Sequence, residues 1–175
     1  IARSISVGNT TFNDGGAQTR TFIGGRIANF WGFVTNGIIQ NAADLANSGM
    51  SGVSLGDRTF VDNVKNGKID ADDKVILGNG LPKYIYGLNL KAEYKGFDLS
   101  MLLTGQGGVQ IANMQLYNLY QMRWYNSTGI INVSKDLLNS WTGPGTSNDL
   151  PRNSYSAPAS NRWFSTFYIE NGAFL

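Results

Sequence analysis

The feature that most constrains this chain is a run of strict alternation over residues 83–106. Along residues 83–94 one face reads Tyr84, Tyr86, Leu88, Leu90, Ala92 and Tyr94, and the other reads Ile85, Gly87, Asn89, Lys91 and Glu93. Along residues 97–106 one face carries Phe97, Leu99, Met101 and Leu103, and the other Asp98, Ser100, Leu102, Thr104 and Gln106. Side chains of a strand point alternately to opposite faces, so a period of two predicts two strands with one apolar side each. Only Lys95-Gly96 separates them, which predicts a tight hairpin. Each strand has about the 9–11 residues that a tilted strand needs to cross a bilayer. Tyr and Phe stand at the ends of the apolar face, with aliphatic residues between them. That is the order of an aromatic girdle around a lipid-facing band. On this reading Tyr84, Tyr86, Leu88, Leu90, Tyr94, Phe97, Leu99, Met101 and Leu103 face lipid. The inner face of a soluble β-sandwich alternates in the same way, and the pattern alone leaves both architectures open.

The regions beside the hairpin have another character. Ser4-Ile5-Ser6-Val7 reads as a short strand, residues 21–40 alternate weakly among glycines and aromatics, and residues 41–60 are small and polar. Residues 107–162 form a long, mostly non-strand stretch. Residues 111–125 have apolar positions at mixed spacing and read as partly helical. Ser134 begins a short helix that reaches Trp141, with Leu137, Leu138 and Trp141 at helical spacing. Thr142-Gly143-Pro144-Gly145-Thr146 then breaks it. Residues 163–170 alternate again and read as a strand, Asn171-Gly172 as a turn, and Ala173-Phe174-Leu175 as the start of a further strand. A loop this long is uncommon in a compact soluble domain. Membrane barrels combine short turns on one side with long loops on the outside. The expected fold is therefore all-β, with residues 107–162 extracellular and Lys95-Gly96 periplasmic.

Composition narrows the function classes. The 175 residues include 22 glycines, 12% aromatics and only 15% charged residues. Glycine marks turns and aromatics favour strands and membrane interfaces. A net charge of +2 with no basic block gives no reason to expect nucleic acid. Cysteine and histidine are both absent. That removes disulfides, thiolate metal sites and the commonest general base. No apolar run is long enough for a transmembrane helix, which says nothing about a barrel. Asp70, Asp72 and Asp73 share a solvated loop, and Glu93 and Asp98 flank a turn. None sits in an apolar stretch that would raise its pKa for acid–base work. A serine nucleophile has no histidine here, and no Gly-x-Ser-x-Gly run exists. Gly105-Gln106-Gly107-Gly108 lacks the Lys-Ser/Thr of a phosphate loop. No enzymatic activity is expected.

Two further constellations carry chemistry. Residues 62–73 resemble an EF-hand-type calcium loop, which places oxygen ligands at fixed positions around a glycine turn. With Gly67 at the turn, Asp62, Asn66, Asp70 and Asp73 fall on ligand positions and Lys68 offers its backbone carbonyl. Val64 stands where a side-chain oxygen belongs, and Asp73 is shorter than the usual glutamate. Calcium is thus a possible ligand, and an acidic turn that keeps only the shape is the other reading. Among the aromatics of the long loop, Trp124, Tyr125 and Trp141 are candidates for contact with a ligand or a partner lid, alongside Tyr117 and Tyr120. Aromatic faces combine apolar area with a polar handle, and they suit a small core of the loop's own equally well.

The order of the segments resembles a known family. The stretch from Gly67-Lys68-Ile69-Asp70 through Val75-Ile76-Leu77-Gly78-Asn79 leads into Pro82-Lys83-Tyr84-Ile85-Tyr86-Gly87-Leu88-Asn89-Leu90 and on to Gly96-Phe97-Asp98-Leu99-Ser100. Then follow Trp141-Thr142-Gly143-Pro144-Gly145-Thr146, Pro151-Arg152 and Tyr168-Ile169-Glu170-Asn171-Gly172-Ala173-Phe174-Leu175. Upstream lies Gly24-Gly25-Arg26-Ile27-Ala28-Asn29-Phe30-Trp31-Gly32-Phe33. Together they resemble the C-terminal barrel region of the SusC/RagA family of TonB-dependent outer-membrane transporters of Bacteroidetes. The resemblance implies a 22-stranded barrel whose plug domain and closing strand lie outside residues 1–175. It implies an outer-membrane importer of glycans or peptides, with TonB and a SusD-like surface lipoprotein as partners. The competing reading is a soluble, secreted β-module that binds carbohydrate or calcium.

Overall fold

The computed structural model describes residues 4–7, 18–120, 133–154 and 156–175. In chain order the elements are β1 (Ser4–Val7), β2 (Thr19–Phe22), β3 (Asn29–Gly32), β4 (Thr35–Ile38), α1 (Ala42–Ala46), β5 (Arg58–Phe60), β6 (Val75–Asn79), β7 (Tyr84–Tyr94), β8 (Phe97–Gly107), β9 (Gln110–Ala112), α2 (Gln115–Leu119) and β10 (Ile169–Asn171). They make one four-stranded sheet in the order β1-β2-β3-β6 and three two-stranded pairs, β4-β5, β7-β8 and β9-β10. All these pairings are antiparallel. Among the described residues no helix is long and apolar enough to cross a membrane.

The predicted hairpin is present. β7 and β8 have 11 residues each and pair from Tyr84 opposite Gly107 to Tyr94 opposite Phe97. Leu88 stands opposite Leu103, Leu90 opposite Met101 and Ala92 opposite Leu99, so the apolar faces merge into one stripe. At the turn Lys95 has φ 49° and Gly96 has φ 81°. Two successive positive φ values make a primed turn, whose twist matches that of the strands. At the far end Tyr84 and Tyr86 lie across their glycine partners, and a Cβ on Gly105 would come within 2.5 Å of the Tyr86 ring. Both faces of β7 and residues 97–102 of β8 are exposed. The chain then returns to β8: the Gln106 and Phe174 N–H groups donate to each other's carbonyl at 3.0 and 3.1 Å. The strand start foreseen at residues 173–175 thus lies beside β8.

The other described elements pack into a block around two aromatic clusters. Tyr117, Phe164 and Tyr168 are buried together, with Phe30, Leu77, Met114 and Phe167 against them. Phe33, Phe60 and Ile69 form the second, and Trp163 stacks on Phe33 and Phe60 at 4.9 and 5.6 Å between ring centres. This explains why residues 163–170 depart from the strand that their alternation suggested. Aromatics on both alternate faces find an interior here, so the chain makes a single bridge from Ser165 to Phe33, coils through Thr166–Tyr168 as a 3-10 turn and forms a strand only in β10. Gly172 does not close a hairpin either. It is buried beneath Ile111, and its N–H donates to Val109. The helix expected after Ser134 is a 3-10 helix over Lys135–Asn139, capped by the Ser134 hydroxyl. The partly helical reading of residues 111–125 is met by α2 over Gln115–Leu119, its last five residues lying outside the described ones, whereas α1, capped by Asn41 within the small polar stretch, carries no apolar stripe to announce it.

Candidate functional site

The chain bends into β5 at Gly56, which has φ 84° and lies under the Trp141 ring, so that any side chain there would strike the indole. The two residues that follow are both buried and both charged. Asp57 has no exposure. Its oxygens accept from Arg152 Nε at 2.7 Å and Nη2 at 3.1 Å, from Asn161 Nδ2 at 3.0 Å and from the Ser54 N–H at 2.8 Å. The Asp57 hydrogen bond raises the Arg152 pKa above its ordinary value. A bidentate pair with every oxygen engaged is the arrangement in which a buried carboxylate is tolerated.

Arg58 is placed differently. It is 2% exposed. Its N–H donates to Asn161 Oδ1 at 2.7 Å, and its Nη2 donates to the Asp149 carbonyl at 3.0 Å. The guanidinium lies 3.7 Å above the centre of the Phe167 ring, a cation–π contact. Its Nη1 has no hydrogen-bond partner. Burial pushes the Arg58 pKa down to about 10, against the smaller upward pull of Tyr168 and Asp149. Burial likewise pushes Tyr168 up to about 12, and the neighbouring Arg58 opposes it.

Arg58 lines a cavity of about 50 Å³ together with Arg152, Arg162, Pro151, Phe167 and Tyr168. Among the described residues no carboxylate lines it. An open groove of about 620 Å³ adjoins it, and Tyr120, Leu150 and Phe167 belong to both. Among the described residues the charged groups of the groove are Asp136, Asp149 and Glu170. Tyr120 donates to Asp136 Oδ2 at 2.9 Å. Hydrogen bonds from Ser134 and then Tyr120 hold the Asp136 carboxyl below the ordinary range. Desolvation, followed by the Asp136 contact, pushes Tyr120 up.

The residues singled out from the sequence are distributed over three places. In the acidic loop, Asp62 accepts from the N–H groups of Lys65, Asn66 and Gly67 at 2.5, 3.2 and 2.7 Å. Desolvation pushes this carboxyl up, but the backbone donors of Gly67, Lys65 and Asn66 outweigh it and hold Asp62 below its ordinary value. Asn66 accepts from the Lys68 N–H at 2.8 Å. Asp70 and Asp73 form a capping box around the 3-10 turn Ala71–Asp73. Asp73 is fully buried and also accepts from the Val64 N–H at 3.1 Å. These oxygens therefore face backbone donors, and among the described residues no three acidic side chains form a group that could hold a metal ion.

The nine residues read as lipid-facing lie on one face of the hairpin, all exposed except the partly buried Leu103. Of the aromatic candidates, Trp124 and Tyr125 lie outside the described residues. Trp141 is half-buried over Gly56 and donates from Nε1 to Gln40 Oε1 at 3.0 Å. Sequence reasoning missed Arg58, Phe167 and Tyr168 as cavity residues. A lone arginine between Asp57 and Thr59 carries no periodic signal, and its burial is created by residues about a hundred positions downstream.

No family model matches the chain. The chain is 30% identical over 131 residues to TonB-dependent receptor P3 of Formosa agariphila, covering 74% of this chain and 12% of that protein. It is 27% identical over 139 residues to TonB-dependent receptor P26 of the same organism, covering 79% of this chain and 14% of that protein. A solved structure described as the RagAB peptide transporter superposes with a TM-score of 0.63 at 20% identity, over 98% of this chain and 17% of that one. The chain thus spans about an eighth of the length of these curated relatives. An exposed apolar hairpin of membrane-crossing length and an aromatic loop block occur together in a chain that matches these receptors over three quarters of its length. The chain belongs to the TonB-dependent receptors of the outer membrane, and its fold is that of part of a β-barrel transporter.

Proposed function

We propose that this chain is part of an active importer of oligomeric nutrients, driven through TonB and covered on the outside by a SusD-like surface lipoprotein. The observation that carries the reading is the β7–β8 hairpin. Two strands alone are marginal in water, and their apolar stripe of Tyr84, Tyr86, Leu88, Leu90, Met101 and Leu99 is exposed. Lipid on that stripe and further barrel strands on the two edges supply what the hairpin lacks. The loop block joins the hairpin at the end away from Lys95-Gly96, through Lys83, Gly107 and Phe174. That is the arrangement of a short periplasmic turn below and a recognition surface above. Glycans and peptides both suit this role, and catalysis has no part in it. Within the same reading, residues 62–73 serve as a shaped turn held by their own hydrogen bonds.

The test is uptake by cells that carry the full-length receptor with or without functional TonB. Fluorescently labelled nutrient oligomers should accumulate only when TonB works. Equal accumulation in both strains would remove the import reading.

A further inference from the structure

The import reading does not say what chemistry the loop block recognises, and the inference below rests on that reading. Arg58 is a buried guanidinium, and the ion pair beside it, Arg152–Asp57, does not include it. Buried charges in proteins are ordinarily answered by an opposite charge. Arg58 has instead a carbonyl, a ring face and one amino group with no acceptor. Among the described residues the cavity it lines holds three guanidinium groups and no carboxylate. Asp57 answers Arg152, whereas among the described residues no carboxylate stands within ion-pair distance of Arg58, and the pull of Asp149 on it is smaller than the effect of burial.

Size narrows the occupant. On the scale where one water needs about 10–15 Å³, a cavity of about 50 Å³ takes roughly four heavy atoms. That is a carboxylate with the carbon that bears it, not a sugar ring. The groove beyond Tyr120, Leu150 and Phe167 has the opposite sign among the described residues, with Asp136, Asp149 and Glu170 and no lysine or arginine. A ligand that suits both places carries an anionic end and cationic groups behind it. A neutral glycan offers neither, and an oligouronate offers only the anion. An oligopeptide offers both. We propose that the Arg58 cavity is a carboxylate-binding subsite that takes the free C-terminus of an oligopeptide. The planar fork of Arg58 meets the carboxylate through the unpartnered Nη1, and the ammonium and basic side chains of the peptide lie along the acidic groove.

The test uses the full-length receptor in detergent and pentaalanine in two forms, with a free C-terminal carboxylate and with a C-terminal amide. Isothermal titration should show the amide binding about ten- to a hundredfold more weakly, the usual worth of a charge-assisted hydrogen bond. Arg58→Met should bring the acid form down to the affinity of the amide. Arg58→Lys should restore only part of the difference, because an ammonium lacks the fork. Equal affinities of acid and amide for the wild-type receptor would overturn the proposal without recourse to any variant, which matters if Arg58→Met does not fold. Binding of neither form, or of an oligogalacturonate in place of the peptide, would overturn it too. TonB-dependent uptake is a separate measurement, so failure of the import reading and failure of this subsite are distinguishable.

Discussion

Asp57 and Arg58 are neighbours with opposite fates: one carboxylate has every oxygen engaged, and one guanidinium has a donor to spare. Removing a partner from a buried pair leaves the other charge uncompensated. Asp57→Ala should therefore loosen the junction of β5 with residues 150–162 by about 3 kcal/mol, seen as faster amide hydrogen exchange at Arg58 and Arg152. Unchanged exchange would mean that the pair is ornamental. In the acidic loop, Asp70 caps a 3-10 turn and Asp73 is buried beneath it. Chelating calcium should leave exchange over residues 62–73 unchanged, whereas Asp70→Ala should cost about 0.5–2 kcal/mol as a lost cap. Loss of protection on chelation would instead identify an ion there. The Asp62 carboxyl is held below its ordinary 3.8. A depressed folded pKa gives stability that is present above the unfolded value and lost as the pH falls through the folded one. Protection of residues 65–67 should accordingly hold down to pH 3.8 and fall below it, and Asp62→Asn should remove that pH dependence.

Among the elements, the β7–β8 hairpin was almost fully legible from its residues. Period-two alternation fixed the faces, and a two-residue spacer fixed the register, because a slip of one residue would turn every apolar side chain over. Leu90, opposite Met101, lies in the middle of the stripe, and Asn89 lies on the reverse face. Leu90→Arg should impair barrel assembly by about 2–4 kcal/mol near the bilayer midplane. Asn89→Arg should be milder, with both read from heat-modified migration of the receptor on gels. Equal effects would count against the facing. Residues 163–170 show the limit of the same rule. Their alternation is as regular as that of β7, yet Phe164 and Tyr168 enter one aromatic cluster while Trp163 enters the other. Period two predicts a strand only when one face stays outside.

For the whole molecule, the chain contains no cysteine, so single substitutions report topology cleanly within it. Pro144 is exposed on the loop block, and Lys95 is exposed at the hairpin turn. In intact cells an impermeant maleimide should label Pro144→Cys and spare Lys95→Cys, while both should be labelled after the outer membrane is opened. The reverse pattern would invert the proposed orientation and place the arginine cavity out of reach of external nutrients. Labelling of both sites in intact cells would argue against a membrane-spanning hairpin altogether.

The sequence by itself determined the β-class, the hairpin and its faces, and the tight turn at Lys95-Gly96. Those features depend on neighbours within a few residues, where strand period and turn chemistry act. It also located the acidic turn, because Asp62, Gly67, Asp70 and Asp73 are spaced to hydrogen-bond their own loop. The tertiary structure alone decided the rest. Arg58 is buried because Asn161, Phe167 and Tyr168 close over β5 from about a hundred residues away. The arginine cavity and the acidic groove exist because Tyr120, Leu150 and Phe167 meet between them. No periodic pattern encodes such meetings, since burial of a single charge arises from long-range packing and not from the residues beside it.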